Sequence, residues 1–288
     1  MVRRRAAALA AALAAASCVP EVEQDSPEAL VFAAFDPGTG QIPLPNDLAL
    51  ANLPPSGPVR TALEQVIRDG GFRVSQTQGV VIPFVTLSFQ EATGAYRPET
   101  TPPAIDVATV TPSTVAFVQY DVTPPLVVDD FIAVYGSNAA DPNDLVIVPR
   151  PESGAFVAGG RYVVALRGGA NGVKTTDGRP VNALGPIALI APNVDLTIPA
   201  NTPPGITAPE LVALEGGTTQ QPLGLRDFYA LPLEWNPVDS PPPGPPFEPP
   251  WTPAPASGLV PPFDAVALVF PHEEIASIQT FEMSAVFP

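Results

Sequence analysis

Apolar and polar residues come in short runs along most of this chain. Residues 80–89, 114–120, 131–135, 145–148 and 161–166 are rich in β-branched and aromatic side chains and are separated by Gly, Pro, Asn and Asp, a pattern that predicts strands. Pro83 inside the first run predicts an edge position or a bulge, because proline donates nothing to a ladder. Residues 265–270 and 275–283 return to strand character. Helical spacing is confined to two places. In residues 59–69, Leu63, Val66 and Ile67 share a face before Gly70, and residues 209–215 form a short helix closed by Gly216-Gly217. Residues 221–233 fit either a helix or an extended chain. Asp36-Pro37-Gly38 is turn chemistry, and Asp177-Gly178 within residues 174–180 supplies the positive φ of a tight turn. The expectation is a mainly β fold, an antiparallel sandwich with short helical insertions.

Composition adds a long excursion and a leader. Twelve of the 41 prolines fall within residues 237–262, which predicts an extended, polyproline-like surface loop with no packed core of its own. The return to strand character after it places this loop inside the sheet domain. At the other end, Arg3, Arg4 and Arg5 precede a run of Ala and Leu that is too short to span a bilayer at about 20 residues. Leu13-Ala14-Ala15-Ala16-Ser17-Cys18 follows. A basic start, a short apolar stretch and small residues before a cysteine resemble a lipoprotein export signal. Cys18 is the only cysteine in the chain, so no internal disulfide framework exists and the expected modification is lipidation of Cys18. The expected organisation is a signal over residues 1–17, a polar tether over 18–29 and one β domain over 30–288. Val19, and not Asp, follows the cysteine, and the expected location is the bacterial cell envelope, at the outer membrane.

Charge narrows the partners. The formal net charge is −16, and residues 1–17 hold three of the thirteen basic residues and none of the acids. Such a surface repels phosphate backbones, so nucleic acid is excluded as a partner. The expected partners are the membrane, through lipid on Cys18, and an envelope protein or polysaccharide.

Four stretches, taken in order, resemble a known module. They are Phe35-Asp36-Pro37 through Ile42-Pro43-Leu44-Pro45-Asn46-Asp47-Leu48; Gly71-Phe72 with Val81-Ile82-Pro83-Phe84; Gly160-Arg161-Tyr162-Val163-Val164-Ala165-Leu166 with Gly172-Val173-Lys174 and Asp177-Gly178-Arg179-Pro180; and Pro271-His272-Glu273-Glu274-Ile275-Ala276 into Gln279-Thr280-Phe281. The set is similar to the N-terminal, Ig-like domain of bacterial virulence-factor lipases. The resemblance implies an Ig-like antiparallel β-sandwich with a long Pro-rich loop. In those lipases an α/β-hydrolase domain follows the last strand. Here Pro288 comes soon after it, so the resemblance implies the accessory domain without the enzyme. The alternative it implies is an accessory domain, or a truncated relative, of a secreted lipase or esterase.

The catalytic inventory is thin. Serine hydrolysis needs a nucleophile on a sharp turn and a base within reach. No G-x-S-x-G is present, and Gly136-Ser137-Asn138 is half of one. His272 is the sole histidine and reads as a solvated residue at a strand entrance; as a base it has no marked partner. One histidine and a lipidated cysteine do not build a zinc site. Asp129-Asp130 and the acidic loop at residues 141–144 are candidate calcium loops without EF-hand spacing. Gly168-Gly169-Ala170-Asn171-Gly172 has the look of a phosphate loop, but no helix pattern opens after it, and it reads as a hairpin turn. The expectation is a non-catalytic, membrane-anchored envelope lipoprotein that needs no cofactor and carries an Ig-like binding or structural module.

Overall fold

Residues 161–167 show how the molecule is built. The sequence RYVVALR forms a strand whose inner five residues are all buried, so both faces of its sheet are covered. Tyr162, Val164 and Leu166 enter one apolar core, while Val163 and Ala165 enter another. A computed structural model describes residues 30–34, 56–68, 73–74, 79–90, 95–99, 103–136, 143–150, 157–192, 194–218, 223–235, 251–254 and 258–283. The expected signal and tether, with Cys18, lie outside the described residues, as do residues 35–55 and Phe247. Among the described residues no helix is long and apolar enough to cross a membrane.

The chain is mainly β. One sheet contains β1 (Leu30–Ala33), β3 (Val80–Gln90), β4 (Ala95–Pro98), β7 (Phe131–Tyr135), β8 (Asp144–Pro149) and β10 (Val181–Ala183). Its order is β10-β1-β3-β8-β7, with β4 also paired to β3. The other sheet contains β2 (Arg73–Val74), β5 (Val115–Gln119), β6 (Leu126–Val127), β9 (Arg161–Arg167) and β13 (Ile275–Met283), in the order β2-β13-β9-β5-β6. Most pairs are antiparallel; β10 runs parallel to β1 and β2 parallel to β13. Residues of both sheets share the first core. Val31, Ile82, Phe84, Leu145 and Ile147 come from one, and Val115, Phe117, Val164, Phe281 and Met283 from the other. Each such side chain contributes about 1.5–3 kcal/mol when fully buried.

The centre of that core is aromatic. Phe117 meets Tyr162 edge-on with centroids 5.7 Å apart, and Phe281 lies 6.1 Å from Phe117 and stacks on Tyr162 at 6.2 Å. The Tyr162 hydroxyl is not wasted in this apolar setting. It accepts from the backbone N–H of Val157 at 2.8 Å and donates to Gln119 Oε1 at 3.3 Å. That anchors the turn entering β9 to the strand it enters.

The second core lies on the other face of the second sheet. It is covered by the excursion between β9 and β13, which carries α2 (Gly185–Ile190), α3 (Ala208–Glu215), α4 (Asp227–Ala230) and α5 (Pro262–Val266). Ile187, Ile190, Leu214, Tyr229, Phe263 and Val266 pack on Ala116, Val118, Val163, Ala165 and Ile278. A buried ion pair joins the pieces. Arg226 and Glu215, both under a tenth exposed, meet at 2.8 Å. Arg226 also donates to the carbonyls of Ile190 and Leu189, and Glu215 accepts from Leu196 N. The excursion leaves and returns at one point, where Gly168 N donates to Glu274 O at 2.7 Å and Arg167 holds the Glu274 carboxylate at 2.6 Å. The helix preceding β2, α1 (Pro58–Arg68), buries Ile67 and carries an Arg60–Glu64 pair at 2.6 Å.

Three expectations change. β3 is interior, not an edge, despite Pro83. Pro83 pairs with Asp144 at the last rung of the β8 ladder, and its carbonyl accepts from Ala34 just past the end of β1. Its missing donor therefore falls where both ladders stop. Residues 265–270 are not a strand. Pro262 stands in the first turn of α5, where its fixed φ suits a helix and its absent N–H costs nothing. The proline stretch is also not wholly a surface loop. It supplies β12 (Trp251–Pro253), paired with β11 (Leu233–Trp235), and Trp251 is buried in the second core beneath the Arg161 guanidinium, 4.3 Å away. The residues left ambiguous, 221–233, divide between α4 and the start of β11.

Two substitutions test this account in opposite directions. Arg226→Met leaves Glu215 buried and unpaired, and urea unfolding is expected to register a loss of about 3–5 kcal/mol. Gln279 is fully buried in β13, and neither polar atom of its side-chain amide has a hydrogen-bond partner among the described residues. Gln279→Met keeps the volume and removes the unsatisfied groups, so the same assay is expected to show a gain of about 1–3 kcal/mol.

Candidate functional site

His272 sits in the 3₁₀ turn that leads into β13. Its Nδ1 is 2.6 Å from the carbonyl of Ala191. A carbonyl only accepts, so Nδ1 carries the proton. The ring stacks on Phe263 at 5.8 Å, and Nε2 lies 3.6 Å from Glu273 Oε1. The histidine thus fastens the end of α2 and α5 to the base of β13. It is half-buried rather than solvated, and among the described residues none of its contacts is a hydroxyl nucleophile. Ser137 and Asn138 lie outside the described residues.

The other sequence candidates are equally committed. The N–H groups of the glycine turn serve the protein itself: Gly168 donates to Glu274 O, Gly169 to Val181 O and Gly172 to Gly169 O. A Cβ on Gly172 would sit 2.2 Å from the Arg167 carbonyl, so the glycine is required by packing. Asp130 faces Arg150 at 3.6 Å, Asp129 is exposed, and Asp141 is outside the described residues. Among the described residues no three His, Cys, Asp or Glu side chains converge as metal ligands do. The Tyr120–Phe228–Leu231–Trp251 dent has a volume of about 10 Å³, the space of one water.

What the described surface does offer is an edge. β6 and β7 are the last strands of their respective sheets on one side of the molecule, joined by residues 128–130. Among the described residues nine large apolar side chains stand exposed, and four lie on them: Leu126 at 45%, Val127 at 41%, Ile132 at 40% and Val134 at 40%. Phe131, Ala133 and Tyr135 point inward against the first core, and the Tyr135 hydroxyl donates to the carbonyl of Pro103. Residues 131–135 are legible as a strand in the sequence. Their edge position has one signal there, a run with no charge, no proline and apolar residues on both faces.

No protein-family model, no curated protein and no solved structure matches this chain.

Tyr135 gives the edge a pH signature. Burial, and then the Asp144 carboxylate, push its hydroxyl from the ordinary 10.0 up to about 12. The folded chain holds this proton where the unfolded chain releases it. Its contribution is complete below pH 10 and is lost as pH rises from about 10 to about 12. Urea midpoints are expected to fall across that window, and Tyr135→Phe to flatten the fall.

Proposed function

We propose that this chain is a membrane-anchored envelope lipoprotein whose folded part is a non-catalytic Ig-like module for binding or scaffolding. The observation that carries the reading is the strand order. Taken along the chain, β1, β3, β5, β6, β7, β8, β9 and β13 divide into β1-β3-β8-β7 and β13-β9-β5-β6. With the strands lettered A, B, C, C′, D, E, F and G, that is the ABED and GFCC′ arrangement of an Ig sandwich. Tyr162 supports it. It stands at the start of the F-equivalent strand with its hydroxyl bonded to backbone five residues upstream, which is the geometry of a tyrosine corner. Phe117, on the C-equivalent strand, fills the central position that a tryptophan takes in antibody domains.

The module differs from an antibody domain in one consequential way. The outer face of the GFC-type sheet is covered by the chain's own helices. Among the described residues partners are left with the β6–β7 edge, because Phe32 on the outer face of the other sheet is buried as well. The anchor reading rests on the basic start, the short apolar run and the unique Cys18. The non-catalytic reading rests on the commitment of His272 to the Ala191 carbonyl and on the missing nucleophile elbow.

Wild-type protein is expected to partition into detergent and to carry a lipid mass at Cys18, while Cys18→Ser stays uncleaved or becomes soluble. A wild type that is fully soluble with its leader intact would remove the anchor from the reading. Nitrophenyl esters are expected to remain at background turnover; activity that disappears in His272→Ala would replace the module with an esterase.

A further inference from the structure

β7 presents a strand edge that fits a second copy of itself. Gly136 N donates to Asp144 O and Arg150 N to Asp130 O, so the even-numbered residues of this strand bond to β8. The N–H and C=O groups of Phe131, Ala133 and Tyr135 therefore point away from the sheet, and no backbone bond reaches them from any described residue. Edge strands are commonly blunted by lysine, proline or a bulge. This one has none of these, and its register with β8 is unbroken over all five residues.

The sequence FIAVY reads nearly alike about its centre. An antiparallel copy centred on Ala133 sets Ala133 against Ala133 and Phe131 against Tyr135 as hydrogen-bonded pairs. Ile132 then faces Val134 of the second copy as a non-hydrogen-bonded pair, in which the Cα atoms are about 4.5 Å apart and the side chains closest. Both of these are the strand's exposed side chains. Charge decides whether so acidic a chain can meet itself, and β7 is a neutral window in it. In this register Asp130 falls opposite Gly136 of the other copy, and the two Asp130 residues stand about 20 Å apart, beyond the screening length. Each also has Arg150 beside it. Among the described residues the nearest foreign carboxylate, Asp144, is two strand spacings away, about 10 Å. Leu126 and Val127 on the adjoining edge extend the apolar border. Five residues of strand make a small interface, at the low end of the size range for specific contacts. We propose that the chain self-associates weakly through β7, joining two sheets into one continuous sheet across a two-fold axis. This goes beyond the module reading and does not depend on the lipid.

The test uses the full chain with Cys18→Ser, so that acyl chains do not drive association. Sedimentation equilibrium from about 1 µM to 1 mM is expected to show mass doubling with concentration. Ala133→Pro removes an outward N–H without touching the β8 ladder, and is expected to stay monomeric with thermal unfolding shifted by only a few degrees. Cross-linking reads the register independently. Mixed Ile132→Cys and Val134→Cys chains place cysteines about 4.5 Å apart at Cα, inside disulfide range, whereas either variant with itself leaves them beyond about 7 Å. The mixture is expected to form at least tenfold more dimer than either variant alone. A chain monomeric at every concentration overturns the proposal. So does a dimer that persists in Ala133→Pro, or equal cross-linking in all three samples. Should Ala133→Pro fail to fold, the cross-linking alone decides.

Discussion

The double burial of the sheet formed by β13, β9 and β5 governs this molecule. Its strands carry apolar side chains on both faces, which an isolated sandwich does not tolerate, since one face of each sheet would meet water. The sequence between β9 and β13 answers that requirement. It is rich in proline and cannot form long helices, so it covers the sheet with four short ones. Short helices gain little from their own hydrogen bonds. Their positions are set by packing and by the Arg226–Glu215 pair, whose remaining donors and acceptors are taken up by the Leu189, Ile190 and Leu196 backbone.

The first sheet obeys a different rule. β7 alternates between partly buried and exposed, yet the exposed positions are Ile132 and Val134, not polar residues. In an antiparallel sheet with one wet face, polar residues are the expectation there. The second sheet is thus sealed by its own chain, whereas the first, though buried at Phe32 on β1, reaches solvent with apolar side chains at its β7 edge.

Much of this was legible in the sequence, for reasons that differ by element. Residues 131–135 and 275–283 are strands to the residue, because β-branched runs bounded by Gly, Pro and acidic residues have no competing helical reading. The short helix before Gly216 was equally plain, through Pro209 at its start and two glycines at its end. Residues 265–270 misled because a short apolar run has no period of its own; Pro262, three residues earlier, was the better guide. Pro83 misled because proline reports a missing donor and not where the ladders happen to end. Trp251, an aromatic in the proline stretch, was expected to staple the loop back on the domain, but its place was not legible. Proline density describes the backbone of residues 237–262 and says nothing of a single indole reaching Arg161. The β6–β7 edge left only the uncharged, proline-free run at residues 131–135 as its mark, for a deeper reason. Strand type is local, whereas strand order depends on pairings far apart in the chain.

The excursion between β9 and β13 has a kinetic consequence. Arg167 and Glu274, which close its base, are 107 positions apart. Closing a loop of that size in place of a hairpin turn costs about four doublings of length, on the order of 2.4 kcal/mol of chain entropy, before β13 returns any of it by pairing. Until then β9 lacks one neighbour, and the first core lacks Phe281 and Met283. Folding is therefore expected to be slow and late, governed by β13, whose pairings with β9 and β2 span the longest separations in the sheet. A chain emerging from its N-terminus would have β1 through β9 in hand and still be unable to close. Under the proposed export reading, that delay would keep the chain threadable until nearly all of it has passed.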